Sequence, residues 1–338
     1  MATNPFLRGR SIPFLLTVGV SVLVCLVPFL PGRSPTPPQE DSAIPAALQE
    51  SLDKWVAEHF PGNPEDFQDN LADSTARYVT YGAQVYEQYC SGCHGIQGDG
   101  QGEAANFLVP RPRNFRYGVS EDSPPIYKFR STRSGQAPLV DDLVRTIRDG
   151  LPGSAMPKHR LLDPTDARAV ADYVIWLSQT AEFEQAILFD YQEEEPDLDD
   201  QEERDYFYEE FVVASAERIA GRYANPDRLA IGQEIAVTDE SIARGQTVYM
   251  EKGCHECHGN TGRGEGSSAG SLRDDWGYPI DPRDFSTGKF RAGSSGRDIY
   301  MRIKGGVSGT PMPAYEDMPN EDLWALVHFV QSLKTGGE

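Results

Sequence analysis

Two short stretches decide how this chain reads: Cys90-Ser91-Gly92-Cys93-His94-Gly95, and Cys254-His255-Glu256-Cys257-His258-Gly259, which begins 164 residues later. Matching blocks spread outward from both. Gly98, Gly100 and Gly102 keep the same offset with Gly262, Gly264 and Gly266. Pro112-Arg113-Asn114-Phe115 is echoed by Pro282-Arg283-Asp284-Phe285, and Lys128-Phe129-Arg130 by Lys289-Phe290-Arg291. The run IRDGLPGSAMP at 147–157 returns as IKGGVSGTPMP at 303–313. Blocks repeated in one order, with changes only in the loops between them, mark two copies of one domain.

The flanks of each copy predict helices. Gly82, Val85 and Tyr86 lead into the first cysteine pair; Gly245, Val248 and Tyr249 lead into the second. After the first IRDGLPGSAMP run, 166–177 carries Val170, Tyr173, Val174 and Leu177 on one face, and after its echo 321–333 carries Leu323, Leu326, Val327, Phe329, Val330 and Leu333. Asp163-Pro164 is a helix start. A glycine on the leading helix would let the closing helix approach, with Tyr86 and Tyr173, or Tyr249 and Phe329, filling the crossing. The expected fold class is all-α.

Two cysteines at i and i+3 point the same way on a helical turn. Outside the cytoplasm, with histidine next, this is the attachment site of a c-type heme. Cys90 and Cys93, and Cys254 and Cys257, would form thioethers to the two vinyl groups, with His94 and His258 as proximal iron ligands. A zinc site would join all four cysteines across two repeat copies and leave both histidines unexplained; a redox dithiol also leaves them without a role. Met156 and Met312 sit at one place in the repeat, each in a glycine-rich loop and each followed by proline. A thioether there would be the sixth, soft ligand, favouring ferrous iron. Met318 and His159 are the rivals. Met250 and Met301 read as core, His255 should face away from the iron, and His59 and His328 read as surface or helix-packing residues.

Composition frames this. Hydrophobic residues are 39% and charged residues 25%, so most of the chain can fold in water; five cysteines are too few for a disulfide scaffold. The net charge of −21 excludes the usual footprint of a nucleic-acid binder. Residues 1–10 carry Arg8 and Arg10, and 11–32 is a 22-residue run without charge, the length of a transmembrane anchor, with a cleaved signal peptide as the alternative. Cys25 lies within it as an apolar residue. Two arginines before the run and Arg33 after it put the N-terminus inside, so the rest is expected outside the cytoplasm. A Pro-rich linker and a short amphipathic helix with Leu48, Leu52, Trp55, Val56 and Phe60 fill 33–74. Residues 182–210 hold fourteen acids against Arg204 alone, a charge of −13. That composition predicts a solvated acidic connector over 182–237, or an element that steers a basic soluble cytochrome. The domains are then 75–181 and 238–338.

At these residues the sequence resembles class I cytochromes c, twice over. The resemblance implies two all-α domains, each wrapping a covalent heme, so two heme c groups, with axial pairs His94–Met156 and His258–Met312. The Pro-Arg-x-Phe and Phe-Arg blocks are similar to those of membrane-anchored diheme cytochromes that accompany bc-type quinol-oxidising complexes. The implied role is a single-pass cytoplasmic-membrane protein with heme domains on the periplasmic side. It would pass single electrons from a quinol-oxidising complex to a periplasmic or oxidase acceptor, with no catalytic residues of its own. Alternatives are the cytochrome c subunit of a heme-copper oxidase, a diheme peroxidase and a sulfur-compound dehydrogenase. The recurring Arg113, Arg130, Arg283 and Arg291 are candidates for pairing with heme propionates.

Overall fold

The computed structural model describes residues 48, 52, 56, 74–116 and 127–335. The expected anchor at 11–32 and nearly all of 33–74 lie outside them. Among the described residues no helix is long and apolar enough to cross a membrane. They form helices and two isolated bridges, with no strand.

The first copy opens with α1 (Ser74–Tyr89) and the short α2 (Ser91–His94), continues through α3 (Val140–Asp149) and closes with α4 (Pro164–Glu194). Asp163 caps α4 by accepting from the amides of Thr165 and Asp166 at 2.7 and 2.9 Å. The second copy repeats the plan with α7 (Asp239–Glu251), α8 (Cys254–His258), α9 (Gly296–Gly305) and α10 (Asn320–Ser332). Leading and closing helices cross where the sequence has glycine. A Cβ at Gly82 would lie 2.1 Å from the Ala169 carbonyl oxygen, and one at Gly245 would lie 2.0 Å from that of Ala325. The expected aromatic pairs seal these crossings: Tyr86 and Tyr173 at 5.2 Å between centroids, Tyr249 and Phe329 at 5.1 Å.

The acidic segment is not a solvated connector. α4 does not stop near 181 but runs 31 residues, to Glu194. α5 (Gln201–Phe207), a π turn (Tyr208–Val213) and α6 (Ala214–Ala224) follow. Phe183 and Ile187 from the extension, with Phe207, Val212, Ala216 and Ile219, bury a third core, to which Leu48 and Leu52 are added. Glu182 is itself buried, paired with Arg222 at 2.7 Å and accepting from the Tyr223 hydroxyl at 3.3 Å. The physical reason is that apolar side chains interleave with the acids at helical spacing, so the segment can bury a core while most of its charges stay in water. Met250, expected in the core, is exposed, whereas Met301 and His328 are buried.

The two copies pack together. Lys128 pairs with Asp274 at 3.7 Å, and Arg133 with Glu316 at 3.0 Å. Arg302 donates to the Arg130 carbonyl at 2.5 Å, and the segment between the copies joins the first, with the Leu229 amide donating to the Ser131 carbonyl at 2.9 Å.

Candidate functional site

Each copy contains one cleft between its closing helix, its cysteine turn and its methionine loop. Cys90, Cys93, His94 and Met156 line the first; Cys254, Cys257, His258 and Met312 line the second, a cavity of about 500 Å3. The sequence reading had grouped these same residues, and the fold brings each set together.

The histidines are held in one tautomer. The Nδ1 of His94 lies 3.0 Å from the Arg113 carbonyl oxygen, and that of His258 lies 3.2 Å from the Arg283 carbonyl oxygen. A carbonyl only accepts, so Nδ1 carries the hydrogen and Nε2 keeps its lone pair. Burial pushes both imidazoles below their ordinary range, which also keeps them neutral. Phe115 and Phe285 stack on these rings at 4.7 and 4.4 Å. The Phe115 amide donates to the Gly98 carbonyl and the Phe285 amide to that of Gly262, both at 2.7 Å. Thus the repeated Pro-Arg-x-Phe block works through a carbonyl and a ring. Sequence reasoning had looked to its guanidinium and passed over Phe115 and Phe285; their matching places in the repeat were the available clue.

The methionine loops are equally alike. The Leu151 amide donates to the Met156 carbonyl at 3.1 Å, and the Val307 amide to that of Met312 at 3.2 Å. The Met156 amide donates to Ser154 Oγ at 3.2 Å, and the Met312 amide to Thr310 Oγ1 at 3.3 Å. At Gly150 and Gly306, with φ of 62° and 65°, an added Cβ would meet the residue after the ligand loop's proline, or the proline itself, within 2.9 Å. Met318 and His159 also line the clefts, but only Met156 and Met312 share this loop geometry. His159 has Tyr315 as its counterpart, and their amides donate to the equivalent carbonyls of Ile147 and Ile303, both at 3.2 Å.

The donor set fits a covalently bound heme. Burial pushes the Cys90 thiol up to about 12 and the Cys254 thiol up to about 11, surroundings that favour a thioether over a thiolate. Among the described residues no group of three His, Cys, Asp or Glu side chains could hold a bare metal ion. His255 does not line the cleft.

The four candidate arginines divide. Arg113 lines the first cleft, Arg283 the second, and Arg291 both. Arg130 lines neither: it is buried at the junction, donating to the Arg133 carbonyl at 3.0 Å and to Ser308. Arg113 stacks over Trp276 at 4.0 Å, across the copy boundary, and burial pushes it down to about 10. Lys128 and Phe129, from the first copy, line the second cleft as well as their own. The two clefts therefore share a wall made of Lys128, Phe129 and Arg291.

Family models recognise both copies. One described as cytochrome c matches residues 242–334, and one described as cytochrome c oxidase, cbb3-type, subunit III matches residues 77–174. A solved chain from the Kuenenia stuttgartiensis reducing HAO-like protein complex is 33% identical, with a TM-score of 0.59 over 75% of this chain and 96% of that one. No curated protein matches the chain.

Proposed function

This chain belongs to the cytochrome c family, so that it transfers electrons through heme, and from that premise we propose that it is a diheme carrier with two covalently bound heme c groups. Cys90 and Cys93 hold the first and Cys254 and Cys257 the second. His94 with Met156, and His258 with Met312, would hold the iron. Bound there, heme c supplies a one-electron ferric/ferrous couple. The chain's own residues keep each histidine neutral, aim its Nε2, hold the methionine in a stiff loop and exclude water with the aromatic seals. The observation carrying this reading is the duplicated geometry: both clefts pair a Nδ1-anchored imidazole with a methionine on an identical loop. With a methionine in each, neither site keeps an open position for a substrate, so a peroxidase or dehydrogenase is disfavoured.

The shared wall of Lys128, Phe129 and Arg291 supports direct exchange between the two hemes. Residues 11–32 would anchor the chain in the cytoplasmic membrane, with both domains on the periplasmic side. A quinol-oxidising bc-type complex would be the donor, and a periplasmic protein or oxidase the acceptor. A second reading, that the chain is a permanent subunit of a larger oxidoreductase, is favoured by the match to a chain of the HAO-like complex and by the oxidase-subunit model.

The test is expression in a host that installs heme c, followed by a heme count and the near-infrared spectrum of the oxidised protein. Two hemes per chain, both with a methionine–iron band, are expected. Fewer than two hemes, or a high-spin heme, would overturn the proposal.

A further inference from the structure

The two copies serve as controls for each other. A large apolar side chain exposed in one copy, but polar at the equivalent place in the other, is not there to make the fold. Among the described residues the four most exposed large apolar side chains are of this kind, and all four lie in the first copy. Phe107 is 85% exposed, Val109 81%, Leu161 99% and Ile96 67%. Their counterparts are Ser271, Arg273, Asp317 and Asn260.

The equivalence is structural. Ala105–Phe107 and Ala269–Ser271 are the same 3-10 turn. The Leu162 amide donates to the His159 carbonyl as the Met318 amide does to that of Tyr315, both at 3.2 Å. Two of the four residues flank one wall of the first cleft, where Leu108 and Pro110 line it, and Leu161 lies two residues beyond His159 on the other. Leaving Ile96 aside, the other three place exposed apolar side chains close in sequence to residues that line the cleft, and exposed apolar area beside a cleft marks an interaction surface.

Charge selects the kind of partner. After its methionine and proline the first copy continues Lys158-His159-Arg160-Leu161, and the second continues Ala314-Tyr315-Glu316-Asp317. Lys158 and Arg160 are exposed. The first opening is thus apolar with a basic edge, on a chain of net charge −21. We infer that the mouth of the first cleft docks a redox protein whose own centre lies beneath an apolar patch edged by carboxylates. This rests on the diheme reading and deepens it by assigning the exchange port to the first heme. A partner redox protein is favoured over a lipid surface because the patch borders a cleft built for electron transfer. Attraction between Lys158, Arg160 and the partner's carboxylates speeds encounter, and Phe107, Val109 and Leu161 exclude water from the contact.

The test uses the full holoprotein and, as probe, a reduced plant-type [2Fe–2S] ferredoxin, a strongly acidic redox protein, in stopped-flow reduction across ionic strength. Variants take the second copy's residues where they can: Lys158→Ala with Arg160→Glu and Leu161→Asp on one wall, Phe107→Ser with Val109→Ser on the other. The wild-type rate should fall with salt. The first variant should be about tenfold slower at low salt and lose most of that dependence. The second should be slower with the salt slope retained. Wild-type rates in both variants would overturn the docking surface, as would retention of the wild type, but not the variants, on phosphatidylglycerol vesicles. Dithionite reduction of both hemes is recorded first in every protein. If it is complete while the ferredoxin rates do not change, the port assignment fails and the carrier reading stands; if no reducible heme is present, the carrier reading itself fails.

Discussion

Replacing Gly245 with alanine places a methyl group 2.0 Å from the Ala325 carbonyl oxygen, where contact begins near 3.4 Å. The obstacle is helix backbone, so α7 and α10 must separate by roughly 1.4 Å, a gap larger than the 0.5–1 Å that already forfeits a quarter to a half of a contact's dispersion energy. Overpacking of this kind costs about 3 kcal/mol, and the higher helix propensity of alanine returns up to about 1 kcal/mol. The net loss is about 2 kcal/mol, or a melting point about 10 °C lower for a domain of this size. Tyr249 moves with the helix, and its hydroxyl bond to the Gly259 carbonyl, 2.7 Å long and adjacent to His258, is strained. Scanning calorimetry of the holoprotein, with the methionine–iron band followed in parallel, reads both effects. Gly82→Ala should do the same to the first domain, where the added atom lies 2.1 Å from the Ala169 oxygen. A Gly245→Ala protein that melts within about 2 °C of wild type would refute the reasoning, because the crossing would then have slack.

Arg291→Gln should lower both midpoint potentials in a redox titration, since one cation lines both clefts and favours the ferrous state; about 1 kcal/mol each is the scale at an effective dielectric near 20. Arg130→Gln, at a residue lining neither cleft, should leave both potentials in place. Phe285→Ala removes the ring stacked on His258 and should destabilise the protein by about 3 kcal/mol, measured by thermal melting. Burial holds His159 below the ordinary imidazole range, so it is neutral near pH 7 and gains its proton only at more acid pH. That added cation should raise the first heme's potential as pH falls, and His159→Gln should flatten the response; the second heme, with Tyr315 at this place, should not follow. Because the unfolded chain takes up that proton first, stability also falls with pH over the same window.

The residues that meet in each cleft were readable because local chemistry groups them: two thiols and an imidazole on one turn, a methionine on a glycine-rich loop, and a second copy repeating both. The glycine crossings and their aromatic pairs followed from helical spacing. The 182–224 region was misread because fifteen acids dominate its composition, while Phe183, Ile187, Phe207 and Val212 lie thinly among them. Periodicity, not net charge, held the information there. The use of the Arg113 and Arg283 carbonyls was out of reach, since a main-chain acceptor leaves no trace in residue identity. Nor could spacing show that Phe129 and Arg291 each line the neighbouring copy's cleft.

That exchange of side chains means the repeat unit of the sequence is not a self-sufficient building block. Cut between the copies, the N-terminal fragment would lose the guanidinium that borders its pigment. The C-terminal fragment would lose an aromatic ring and an ammonium group, opening its pigment to solvent and oxygen. Duplication made two modules; trading wall residues since then has tied them into one indivisible conductor.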